Sequence, residues 1–176
     1  MDSDDVITLE NKGQTGVARR QLFDALFEST CKDLLRFISF KISSPDVADD
    51  VAADTYFKYW TKLNQGVEIQ NPRAFLYTIA NGLIIDYYRL KKPSRLIEGT
   101  EYEWEHSPEE KYEADERYAH LLELVRSLRP AYRDVVTLHY VEGFEIHEIA
   151  SILNETENNV RVRLHRALSK LRAVSV

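Results

Sequence analysis

The sequence predicts an all-α protein in which two small helical domains are joined by an acidic flexible linker. Three observations lead there. Apolar residues recur at three- and four-residue spacing along most of the chain, the period of an amphipathic helix. Residues 93–116 break that pattern, with Pro93, Pro108, nine acidic and two basic side chains. The last sixty residues then run through short helix, turn and basic helix, the order of a helix-turn-helix unit. A chain of 176 residues that is 44% hydrophobic has enough apolar material for two modest cores.

The elements follow in order. Residues 1–16 are polar, carry four acids and one base, and contain two glycines, so they read as a disordered acidic tail. The first domain is expected over 17–92. Its first helix presents Leu22, Phe23, Leu26, Phe27, Thr30, Leu34, Leu35, Phe37, Ile38 and Ile42, with Cys31 a buried structural thiol, and stops at Ser43-Ser44-Pro45. A second helix spans about 46–63, with Val47, Val51, Ala52, Thr55, Tyr56, Tyr59, Trp60 and Leu63 facing in. Asp46, Asp49, Asp50 and Asp54 gather towards its start, where the helix dipole favours acids. Asn64-Gln65-Gly66 ends it. Asn71-Pro72 opens a third helix, about 72–92, through an amide-capping side chain and a proline at the first helical position. Phe75, Leu76, Ile79, Ala80, Leu83 and Ile84 form its core face, and Pro93 stops it.

The linker covers 93–114, and the second domain 115–176. Helices are expected at about 115–128, 130–141, 144–153 and from 157. Between the last two, Asn154 suits a left-handed turn residue and Thr156 an N-cap. Val160, Leu164 and Leu168 or Leu171 make the buried stripe of the final helix, so Arg161, Arg163, Arg166 and Lys170 lie mainly off it.

The net charge of −6 at first argues against a nucleic-acid binder, but its distribution reverses that conclusion. The excess acid sits in the tail and the linker, residues 17–92 and 117–176 each carry a net charge of +2, and 160–176 holds five basic and no acidic side chains. Guanidinium groups there suit guanine edges and phosphates. The third helix interleaves Phe75, Tyr77, Tyr87 and Tyr88 with Arg73, Arg89, Lys91 and Lys92, the mixture of rings and cations that holds an unpaired strand. Enzyme chemistry has no footing: the five histidines fall in separate segments without metal-ligand spacing, and neither a glycine-rich phosphate loop nor a Gly-x-Ser-x-Gly elbow occurs. No catalytic residue, metal or cofactor is expected. The acidic N-terminus and the lack of a long apolar run point to a cytoplasmic protein without membrane insertion.

The segment 46–60, Asp46-Val47-Ala48-Asp49-Asp50-Val51-Ala52-Ala53-Asp54-Thr55-Tyr56-Phe57-Lys58-Tyr59-Trp60, resembles region 2 of the sigma-70 superfamily in its smallest group, the extracytoplasmic-function sigma factors. So does Pro72-Arg73-Ala74-Phe75-Leu76-Tyr77-Thr78-Ile79-Ala80 with Leu83 and Asp86-Tyr87-Tyr88-Arg89. Leu128-Arg129-Pro130, Tyr140-Val141-Glu142-Gly143-Phe144, Glu148-Ile149-Ala150 and Val160-Arg161-Val162-Arg163-Leu164-His165-Arg166-Ala167 resemble region 4. The chain departs at Gly82, where the family usually has asparagine, and at Glu155, where it has an apolar turn residue.

The resemblance implies a factor that binds core RNA polymerase and directs promoter recognition and transcription initiation. It implies polymerase contact, at the beta-prime clamp and beta flap, with Asp49, Asp50, Asp54 and Trp60 on the clamp-binding helix. It implies that Arg73, Tyr77, Asn81, Tyr88, Arg89, Lys91 and Lys92 hold the melted strand of the promoter −10 element. It implies that Thr156, Arg161, Arg163, Arg166 and Lys170 read double-stranded DNA at the −35 element, and that an anti-sigma factor is a candidate partner. Two alternatives stay open from sequence: a sigma-mimicking protein that sequesters an anti-sigma factor, and a helix-turn-helix repressor.

Overall fold

A computed structural model describes residues 3–91, 125 and 127–174, and every regular element among them is helical. The first bundle comprises α1 (Ser3–Ser39), α2 (Pro45–Asn64) and α3 (Pro72–Lys91). Helix α1 starts at Ser3, inside the 1–16 stretch read from sequence as a disordered tail, because no proline precedes Pro45 and Gly13 and Gly16 weaken a helix without removing its hydrogen bonds. Aromatic contacts fasten α1 to α2: the Phe23 ring lies edge-on to Trp60 at 5.1 Å, and Phe27 edge-on to Tyr56 at 4.8 Å. Thr30 Oγ1 and Tyr56 Oη share a buried 2.9 Å hydrogen bond. Leu34, Phe37, Ile38 and Ile42 are buried as expected, whereas Leu22, Phe27 and Leu35 are exposed and Cys31 is half-buried. The buried stripe of α1 is narrower than its apolar content.

Asn71 caps α3, its side-chain oxygen accepting from the Ala74 amide at 3.0 Å. Helix α3 is covered on two sides, by α1 and α2 and by the C-terminal domain. Leu76, Ala80 and Ile84 are buried as periodicity predicts, and so are Ala74, Tyr77, Asn81 and Tyr88, while Phe75, Ile79 and Leu83 are only partly covered. Gly82 lies on the exposed remainder of α3.

The C-terminal domain contains α4 (Pro130–Val136), a wide π turn (Thr137–Val141), α5 (Ile146–Leu153) and α6 (Glu157–Val174). One helix was expected over 130–141. The β-branched run Val135-Val136-Thr137 is a weak helix former, and the chain widens there, the Glu142 amide bonding to the Thr137 carbonyl at 2.9 Å. Gly143, at φ +73, then reverses the chain in a conformation costly to any residue with a Cβ. Val125, Leu128, Val135, Leu138, Ile149, Ile152, Val160, Leu164 and Ala167 form the core. The linker, Lys92 and most of the helix expected at 115–128 lie outside the described residues.

Candidate polymerase and nucleic-acid interfaces

On α2, Asp49, Asp50 and Asp54 are all exposed, while Trp60 is half-buried against Phe23. Beside them lies an apolar cleft of about 320 Å³ lined by Arg20, Phe23, Asp24, Tyr56, Phe57 and Trp60. Phe57 is 69% exposed. Its position off the apolar stripe of α2 was the available signal that it faces outward.

The helix-turn-helix has the expected local geometry. Asn154 ends α5 in the left-handed region at φ 55, and Thr156 Oγ1 accepts from the Asn159 amide at 3.3 Å. Val160, Leu164 and Ala167 face the core, with Leu168 and Leu171 at its margin. Arg163, Arg166 and Lys170 stand at i, i+3 and i+7, along one flank of α6, and Arg161 projects from the other. Arg161 pairs with Glu157 at 2.6 Å and Arg163 with Glu155 at 2.6 Å, while Lys170 lies 5.1 Å from the Tyr132 ring centre. Arg166 is exposed.

The residues of α3 expected to hold a strand divide differently. Arg89 is exposed and 3.5 Å from Asp86, and Lys91 is exposed beside Tyr87. Tyr77, Asn81 and Tyr88 are buried. Tyr88 Oη donates to the Lys41 carbonyl, inside the first domain. Tyr77 and Asn81 face the C-terminal domain instead of solvent, and Arg73, 35% exposed, reaches the same domain. Asn81 Nδ2 donates to the Ile152 carbonyl at 3.2 Å, and its oxygen accepts from Lys41 Nζ at 3.1 Å. Lys41, 3% exposed, also meets Asp134 across the domain boundary at 3.2 Å. Burial pushes its ammonium below the ordinary lysine range, and the Asp134 charge opposes that shift.

At the centre of this contact is Glu142, whose side chain has no solvent exposure. One carboxylate oxygen accepts from Arg36 Nη2 at 2.9 Å. The other accepts from Tyr77 Oη at 2.7 Å and Arg73 Nη2 at 3.2 Å. Arg73 Nη1 also donates to the Glu142 carbonyl at 2.7 Å, and its guanidinium lies 4.3 Å from the Phe144 ring centre. Phe144 meets Tyr77 edge-on at 4.8 Å. Burial, then the neighbouring Glu142 charge, push the Tyr77 phenol far above its ordinary value, so it remains a donor. Local sequence gives no sign of this cluster, since the side chains that bond the Glu142 carboxylate stand 65 to 106 residues from it.

Comparison with known proteins gives a consistent picture. Residues 26–93 match the family model of sigma-70 region 2, and residues 119–171 that of sigma-70 region 4. The chain is 24% identical over 180 residues to the ECF RNA polymerase sigma factor BldN of Streptomyces coelicolor, covering 97% of this chain and 66% of that protein. It is 22% identical to the ECF RNA polymerase sigma factor SigX of Bacillus subtilis, covering 86% of this chain and 82% of the relative. Among solved structures, the sigma factor RpoE in complex with the anti-sigma factor NepR from Bartonella quintana superposes with a TM-score of 0.65 at 21% identity, over 86% of this chain and 94% of that one. CnrH, in complex with the cytosolic domain of CnrY, gives 0.60 at 24% identity over 92% of each chain. These structural likenesses establish the fold. Among the described residues no helix is long and apolar enough to cross a membrane.

Proposed function

The chain belongs to the sigma-70 family, in its extracytoplasmic-function group of RNA polymerase sigma factors that direct transcription initiation, and we propose that its surfaces divide that work as follows. The exposed acids Asp49, Asp50 and Asp54, with Trp60, dock on the beta-prime clamp, and the C-terminal domain engages the beta flap. Arg73, Tyr77, Asn81, Tyr88, Arg89, Lys91 and Lys92 serve the −10 strand, the buried members once they become accessible. The flank Arg163, Arg166 and Lys170, with Arg161 and the Thr156 cap, serves the −35 duplex. The domains responsible are 17–92 and 115–176, joined through 93–114.

The observation that carries this reading is the occurrence of region 2 and region 4 in that order on one chain. Phosphate contacts supply affinity and base contacts supply selection. Melting is driven by binding energy spent on unstacked bases, so the protein acts by binding, without a catalytic group, in the cytoplasm where polymerase works. The test is permanganate footprinting of promoter fragments with core polymerase. Thymines upstream of the start site become reactive only when the protein is added. Equal reactivity without it removes the assignment.

A further inference from the structure

Three of the residues proposed for the −10 strand, Arg73, Tyr77 and Asn81, are occupied from within the chain. A single-stranded nucleotide offers two things to such a site: an anionic phosphate for guanidinium and hydroxyl donors, and a flat ring for aromatic and cationic partners. The segment Glu142-Gly143-Phe144 offers the same two. Its carboxylate takes hydrogen bonds from Arg36, Arg73 and Tyr77, and its phenyl ring packs against Tyr77 at 4.8 Å and under the Arg73 guanidinium at 4.3 Å. Gly143, at φ +73, brings the charge and the ring to the same side of the turn.

We propose that Glu142 and Phe144 are an intramolecular stand-in for a phosphate and a base, holding the factor in a closed state in which its C-terminal domain masks the −10 strand site. This rests on the assignment of Arg73 and Tyr77 to that site. The contact is polar at its centre and extends through Lys41 with Asp134, Asn81 with the Ile152 carbonyl, and Asn71 with Glu148. Such an interface can part at modest cost, because its charged groups have other partners. Arg36 already pairs with Asp33 of its own helix at 3.0 Å, and Glu142 regains water when exposed. Binding strand and closing the domains are then mutually exclusive, so the apparent affinity for strand falls with the fraction of open molecules.

The experiment uses the full chain without polymerase. Glu142→Gln removes the carboxylate charge. Arg36→Gln weakens the same cluster from α1 without touching the −10 set or the C-terminal domain. Small-angle scattering reports the radius of gyration, and fluorescence anisotropy reports affinity for a random-sequence single-stranded DNA pool. Circular dichroism checks that each variant keeps its helix content. Both variants are expected to expand and to bind the pool about tenfold more tightly, as when a minor competent state becomes the major one. Folded variants that both keep the parent's radius of gyration overturn the latch and leave the −10 assignment standing. Expansion with no gain in DNA affinity overturns the masking claim and puts the fault in the −10 assignment itself.

Discussion

Arg163 Nη1 lies 2.6 Å from Glu155 Oε1, so an arginine proposed to read the −35 duplex is held by an acid from the turn that precedes its own helix. The second Glu155 oxygen is buried without a hydrogen-bond partner. Such an atom costs about 1–3 kcal/mol, and a salt bridge on one side only partly offsets it. Glu155→Ala is therefore expected to release Arg163 towards DNA at little or no cost in stability. Affinity for −35 duplex should rise and the salt slope should steepen by about one. Titrations of the folded variant at several salt concentrations test this, and a fall in affinity would mean that Glu155 positions Arg163 for reading.

The acidic face of α2 offers a cleaner test than its tryptophan. Asp49, Asp50 and Asp54 are exposed, so changing all three to asparagine should alter stability by no more than about 0.5 kcal/mol per site. Trp60, in edge contact with Phe23, carries packing energy as well. Polymerase affinity of the triple variant should drop while its denaturation curve is nearly unchanged. An unaltered affinity removes these acids from the clamp contact.

Tyr77 needs a subtler change than truncation. It is fully buried, so alanine would open a cavity costing about 3–5 kcal/mol and confuse folding with function. Tyr77→Phe keeps the ring and removes only the donor to Glu142. The phenylalanine variant is expected to melt promoters at least as well as the parent with polymerase, and to bind single-stranded DNA more tightly without it. Melting abolished in a folded variant would instead assign the hydroxyl itself to the DNA.

Gly82 sits in the exposed face of α3, and a Cβ added there meets nothing within 4 Å. Gly82→Ala should stabilise the protein by up to about 1 kcal/mol through helix propensity alone. Gly82→Asn should fit equally well and restore the amide usual in the family, raising open-complex yield. Urea denaturation and permanganate reactivity measure the two effects separately.

The local architecture was legible in the sequence because it is written in local chemistry. Asn71 and Pro72 start α3, Asn154 makes the left-handed turn, and Thr156 caps α6, each through bonds to residues a few positions away. The surface of the helix-turn-helix was legible to the level of a helix flank, with Arg161 falling on the other side from Arg163, Arg166 and Lys170. What periodicity does not encode is a second partner for a helix already amphipathic. Arg73 and Tyr77 read from sequence as part of an open aromatic and basic surface, and the same two residues bury Glu142 when another domain supplies the anion. The π turn that delivers Glu142 was hidden for a related reason: the apolar spacing of Val135, Val136 and Leu138 is compatible with an uninterrupted helix.

The central claim, that this chain directs polymerase to promoters through two domains, is tested most directly by transcription from a library of genomic fragments with core polymerase. The 5′ ends of the transcripts are sequenced with and without the protein. Start sites that appear only with the protein and share two upstream elements at fixed spacing are the predicted result. Start sites identical with and without it, in the presence of folded protein, would contradict the account.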